Sequence, residues 1–175
     1  EKALRDIEEH AERGANAIKV YAARWEKGKT YGQPLDDPEF GYPFIQKALD
    51  CGIDIIATHK TMPFGPSHPG PYGMDDIPEV CGVFPQMKFE IVHAGFAWVE
   101  ETTFLANLPN CWFNLEGSQG LIHPAPRRFA DFLGRFLMVG AEDRIVFSTG
   151  CPLAHPAPMI QRFLDFEMPQ DMVEG

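Results

Sequence analysis

No apolar run in this sequence approaches the length of a bilayer span, which takes about 20 consecutive apolar residues, and no signal-peptide pattern opens it. No basic stripe is present either. Fifteen Lys and Arg are scattered against 25 Asp and Glu, and a formal net charge of −10 argues against nucleic acid or an anionic membrane as the main partner. Cysteine is sparse: Cys51, Cys81, Cys111 and Cys151 stand apart and fit no C-x-x-C zinc or redox spacing. A reducing, cytoplasmic setting is therefore the expectation. Low-complexity linkers and internal repeats are missing as well, so the chain is expected to be one continuous unit.

What is present is the composition of a globular domain. Hydrophobic residues make up 45% and charged residues 23% of 175, enough to build a core. Apolar residues alternate between two patterns. Ala3, Leu4, Ile7 and Ala11 share one helical face, with Gly14 as a stop, and residues 17–21 then read as a short strand. A polar, glycine-containing loop is expected next, up to Asp37-Pro38, where an N-cap followed by proline opens a helix to about Cys51. Residues 53–58 form a strand leading to His59, and residues 60–74 a long Pro/Gly-rich loop. Asp75-Asp76 opens a short helix. Strands are expected over 88–92, 111–115 and 144–148, and helices over 99–108, 126–139 and 156–166.

Helix and strand thus alternate throughout, with a strand about every thirty residues, the size of one βαβ unit. This is the pattern of an α/β protein with a parallel sheet. Five strands are too few for a closed eight-stranded barrel. The chain opens inside a helix and closes on Asp171-Met172-Val173-Glu174, which reads as the start of another. Either the sheet is open or three units are missing upstream; the second is preferred, and the five-stranded piece alone is expected to aggregate or to need its missing half or a partner.

Functional groups in such folds sit at the C-terminal ends of strands. Two histidines occupy that place on consecutive strands, in Ile55-Ile56-Ala57-Thr58-His59 and Phe89-Glu90-Ile91-Val92-His93. By strand alternation His59 shares a face with Ala57 and Ile55, and His93 with Ile91 and Phe89. Both rings are expected to converge on one cavity, where imidazole is the commonest protein ligand for zinc and similar metals. Lys19, between Ile18 and Val20, should point inward and must then be paired or modified, since an isolated buried ammonium is costly. Glu116 is its candidate partner, or else a substitute carboxylate.

The words Lys19-Val20-Tyr21, His59-Lys60, Val92-His93-Ala94-Gly95 and Ile145-Val146-Phe147-Ser148-Thr149-Gly150-Cys151-Pro152 together resemble the amidohydrolase-related proteins of the amidohydrolase superfamily. That branch includes aminocarboxymuconate-semialdehyde decarboxylase and related aromatic decarboxylases. The resemblance runs from about Gly14 to Phe166 and implies a (β/α)₈ TIM barrel, with residues 1–175 as its C-terminal part, about the fourth to eighth βα units. It also implies a divalent metal ion, zinc in the first place and manganese or iron as alternatives. In the family the ligands are a His-x-His pair on the first strand, histidines after the fifth and sixth, and an Asp after the eighth. His59 and His93 match the fifth and sixth positions. Gly150 stands where the Asp belongs, and glycine can neither bind metal nor carry a proton.

The residues nearby that can take part are Cys151, as a thiolate, and His155, both candidates for a catalytic role. Lys60, His68 and Lys19 are candidates for substrate binding. The resemblance implies a metal-dependent hydrolase or non-oxidative decarboxylase of a small carboxylate-bearing or aromatic substrate. The barrel is expected to be a homo-oligomer, or a hetero-oligomer with a related barrel. Gly150 favours a second reading, a catalytically silent barrel serving as structural or regulatory partner. A metal-dependent oxygenase on the same scaffold is a third.

Overall fold

The short apolar runs do form the strands of one parallel sheet. A computed structural model describes residues 2–63 and 65–173; the expected helix start at Glu1 and the closing residues Glu174 and Gly175 lie outside them. Helix α1 (Lys2–Glu12) leads to β1 (Ile18–Tyr21), a hairpin of β2 (Ala23–Glu26) and β3 (Lys29–Gly32), α2 (Gly41–Asp50) and β4 (Ile55–His59). Then come α3 (Ile77–Val83), β5 (Lys88–Val92), α4 (Val99–Phe104), β6 (Cys111–Asn114), α5 (Pro126–Met138), β7 (Ile145–Val146), α6 (Pro156–Leu164) and α7 (Gln170–Val173).

The five-stranded sheet runs β1-β4-β5-β6-β7, with every neighbouring pair parallel. Each crossover steps one strand onward in the same direction, with no reversal of order, which is how a barrel wall grows and a doubly wound sheet does not. The sheet also curls. Lys19 on β1 reaches Glu116, just after β6, at 3.1 Å, although three strand spacings, about 14 Å in a flat sheet, separate those strands.

The two faces differ as a barrel wall requires. Ile56, Phe89, Ile91, Cys111 and Phe113 are fully buried and pack with Ile45, Ala48, Ile77, Val80, Phe129 and Phe136 of the helices. Each such large side chain contributes about 1.5–3 kcal/mol by leaving water. On the concave face, Ile55, Ala57, Glu90 and Trp112 are only half-buried and Lys88 is exposed. Helix α5 shows the local cause clearly. Pro126 occupies its first turn, and Phe129, Phe132 and Phe136 fall on one stripe, with the Phe136 ring 4.8 Å from that of Phe113.

Several local expectations need correction. The segment after β1 is not a loop throughout: Trp25 pairs with Thr30 and Arg24 with Tyr31 across a turn in which Lys27 (φ 49°) and Gly28 (φ 78°) take the left-handed conformation that tight hairpins need. Helix α2 begins at Gly41 rather than Pro38, because Asp37 Oδ1 accepts the N–H groups of Glu39 and Phe40 in a separate turn. Strand β7 stops at Val146 instead of Ser148. Its partner β6 ends at Asn114, and the Ser148 carbonyl is taken by the Gln119 side chain at 2.6 Å. Among the described residues no helix is long and apolar enough to cross a membrane.

Candidate metal centre

His59 closes β4 on the concave side, in register with Tyr21 and Val92. His93 follows β5, and its placement departs from simple alternation. Residues Ile91 and Phe89 face the helices and are fully buried, so a histidine continuing their parity would point away from His59. Instead His93 (φ 72°) and Ala94 (φ 44°) both lie in the left-handed region. This turn swings the imidazole back over the sheet end. Consecutive non-glycine residues with positive φ are uncommon and cluster at functional sites, where the surrounding structure holds the strain.

The two rings meet edge to face, with centroids 4.6 Å apart and His93 Nε2 3.1 Å from His59 Nδ1. Their outer nitrogens are anchored to backbone: His59 Nε2 lies 2.7 Å from the Met62 carbonyl and His93 Nδ1 2.6 Å from that of Glu116. A carbonyl oxygen only accepts, so each of those nitrogens carries the proton of its neutral ring. The two inner nitrogens then present lone pairs to each other. Only a positive charge between them, a proton or a metal ion, makes that contact favourable. Burial pushes both histidines below their ordinary pKa, with Lys19 adding to the shift at both and His93 at His59. A shared proton is therefore disfavoured.

A metal ion fits better. Metal-bound histidines commonly donate their second N–H to a carbonyl, which fixes tautomer and ring orientation. Two nitrogens bound at about 2.0–2.1 Å to one tetrahedral ion lie roughly 3.3 Å apart, close to the separation here. The pair does not complete a ligand set. Among the described residues no group of three His, Cys, Asp or Glu is placed to hold an ion.

The surroundings fix the pair. Tyr21 lies against the His59 ring at 4.9 Å and Tyr72 meets it edge-on at 6.0 Å. Asn114 Oδ1 accepts the Glu116 N–H at 2.7 Å, and so positions the carbonyl that holds His93. Gly117 (φ 78°) packs on the same ring, where a Cβ would stand 3.0 Å from His93 Nδ1. Gly117→Ala should push the ring off its carbonyl and weaken metal binding about 10–100-fold, the usual effect of disturbing a ligand's support. A titration with Mn²⁺ checks this, and unchanged affinity would mean the ring has room to adjust.

The other sequence candidates lie in different settings. Lys19 is bound to Glu116 beside the imidazoles. Lys60, next to His59 in sequence, is turned into the base of the long loop: its Nζ lies 2.6 Å from Asp76 Oδ1, with 2% and 6% exposure of the two side chains, and also contacts the Pro71 carbonyl. His68 is exposed and its Nδ1 accepts from Gly70 N–H within its own turn. His155 is exposed, caps α6 and accepts from the Ala157 N–H at 3.3 Å. Cys151 is an exposed free thiol. Sequence reasoning gave no site role to Tyr21, Tyr72, Asp76 or Gly117; of these Tyr21, two residues after Lys19 on the same strand face, carried a usable signal.

A family model described as amidohydrolase matches residues 1–174. No protein of curated function matches the chain. Among solved structures it is similar to an uncharacterized TIM-barrel protein from Bordetella bronchiseptica, with TM-score 0.66, 21% identity, and 98% of this chain and 57% of that chain covered. It is also similar to 5-carboxyvanillate decarboxylase from Sphingomonas paucimobilis, with TM-score 0.57, 16% identity, and 97% and 58% covered. A third is a dihydroxybenzoic acid decarboxylase from Polaromonas sp. JS666 with bound manganese and the inhibitor 2-nitroresorcinol, with TM-score 0.62, 14% identity, and 98% and 61% covered. Likeness at these identities establishes the TIM-barrel fold. The chain spans 57% to 61% of the length of these proteins.

Proposed function

Because the chain belongs to the amidohydrolase family, we propose that its paired imidazoles serve a divalent-metal enzyme that removes a carboxyl group from, or hydrolyses, a small aromatic or carboxylate-bearing substrate. The observation that carries this reading is the 3.1 Å contact between His59 Nδ1 and His93 Nε2, with each ring's other nitrogen held by a carbonyl. Decarboxylation is the preferred chemistry, since two of the similar structures are aromatic-acid decarboxylases and one of them holds manganese. Manganese is thus taken ahead of zinc. The remaining ligands are proposed to come from barrel strands that these five do not provide.

The bound ion would supply Lewis acidity, polarising a substrate oxygen. The chain's own residues do the rest. The Met62 and Glu116 carbonyls fix both tautomers, so that both inner nitrogens stay available. Tyr21 and Tyr72 wall the His59 ring and hold its angle. Burial keeps both imidazoles neutral at pH 7.

The pH dependence follows. Protons compete for the inner nitrogens, so Mn²⁺ affinity should hold near neutrality and fall on acidification below the ordinary histidine value of 6.5. In metal-free protein the same depressed values act on stability. Stability present above 6.5 is lost as the pH falls through the lowered folded-state values, because the unfolded chain binds protons first. Mn²⁺ titrations between neutral and mildly acidic pH, with melting curves alongside, check both. An affinity that rises on acidification would contradict the account.

The direct test of function is incubation of the manganese-loaded protein that carries this chain with 2,6-dihydroxybenzoate and related aromatic acids, following CO₂ release. The carbon–carbon bond to the carboxyl breaks and a proton takes its place on the ring. Metal-dependent CO₂ release supports the reading. A protein that binds metal but neither decarboxylates nor hydrolyses such acids would favour the silent-barrel reading instead, which the missing side chain at Gly150 supports.

A further inference from the structure

Gly150 leaves the last strand end without the carboxylate that the family pattern places there, yet an acid stands in the space so opened. A Cβ built on Gly150 would lie 3.4 Å from Cγ and 3.5 Å from Oε1 of Glu116. That is ordinary contact for the Cβ, but a carboxylate reaching further would share space with the carboxylate of Glu116. The acid comes from the end of β6, the strand beside β7.

Glu116 is also anchored on several sides. Its side chain is 17% exposed and its Oε2 meets Lys19 Nζ at 3.1 Å from across the sheet. Its N–H is held by Asn114 Oδ1 and its carbonyl holds His93 Nδ1. Its charge is felt at both imidazoles, where it opposes burial and the Lys19 ammonium, Lys19 having the larger effect at His59 and Glu116 at His93. A divalent ion on two neutral imidazoles is an unbalanced charge in a poorly solvated place, and a nearby fixed anion lowers that cost.

We infer that Glu116 supplies the acidic charge of this metal centre in place of a residue at position 150, and that position 150 carries no carboxylate because Glu116 fills the space one would take. The inference rests on the metal-dependent reading above, and it makes Lys19 a positioning residue that holds the carboxylate. Gly150, on this view, belongs to a rearranged site and not to a decayed one.

The test uses Mn²⁺ titration, read by the electron-paramagnetic signal of the free ion, together with melting curves of the protein that carries this chain. Glu116→Gln keeps the shape and removes the charge, and should weaken Mn²⁺ binding about tenfold or more with an unchanged circular dichroism spectrum. Gly150→Asn and Gly150→Asp place equal volumes at a left-handed position (φ 68°) that both residues tolerate. The Asp variant should melt lower than the Asn variant because it faces Glu116. Adding Glu116→Gln to Gly150→Asp should remove that difference and restore Mn²⁺ affinity above that of Glu116→Gln alone. Wild-type affinity in Glu116→Gln, or equal melting of the Asp and Asn variants, would overturn the inference. Failure of the wild type to bind manganese would sink the metal reading and the role of Glu116 with it, leaving the pairing of positions 116 and 150 to the melting comparison.

Discussion

Alanine at position 59 or at position 93 should lower Mn²⁺ affinity by at least about a hundredfold, since even outer-shell changes cost 10–100-fold. Each substitution removes one of the two nitrogens that meet at 3.1 Å, and with it one of the two proposed ligands. The fold should survive, because the sheet register does not depend on either ring. His68→Ala and His155→Ala serve as controls, since those exposed rings hold local turns, and both should bind Mn²⁺ as the wild type does. The check is one titration series across the four variants. Equal affinity in all four would place the ion elsewhere.

The largest effect on stability should come from Asp76. Its Oδ1 holds the Lys60 ammonium at 2.6 Å and its Oδ2 accepts the Leu35 N–H at 2.9 Å, with both charged side chains nearly inaccessible to water. One carboxylate thus ties the loop after β4, the start of α3 and the chain before α2. Asp76→Ala strands a buried ammonium and an unpaired N–H, and should cost about 3–5 kcal/mol in urea unfolding. Combining it with Lys60→Met removes the stranded charge and should recover much of that loss. If Asp76→Ala alone unfolds like the wild type, the pair is solvated in solution. Because Lys60 is committed to this contact, its charge is expected to act on the loop's stability and not on substrate affinity.

Much of this was legible from the residues. The period of the helices and the short apolar strands gave the parallel α/β order, because burial against helices leaves a direct imprint on spacing. The pairing of Lys19 with Glu116 was readable in part: the contact is there, but the Lys19 side chain is 40% exposed, so burial of the ammonium is not what requires it. The hairpin of β2 and β3 was not legible, since its strands are short, largely polar and exposed. The convergence of His93 on His59 was expected, but the means was not legible. Alternation alone aims it at the helices, and the left-handed turn at His93 and Ala94 that reverses it carries no mark in residue type beyond the following Gly95. Asp76 and Gly117 act through contacts distant in sequence, with Lys60 and His93 respectively, which no local pattern encodes.

The central claim is that a cation belongs between the two inner nitrogens. A crystal structure of the manganese-loaded protein, with anomalous scattering used to locate the ion, tests it most directly. The account predicts one manganese at bonding distance, about 2 Å, from both Nδ1 of His59 and Nε2 of His93, with the outer nitrogens still on the Met62 and Glu116 carbonyls. Manganese bound away from this pair, or rings that keep their contact while the ion sits elsewhere, would contradict it.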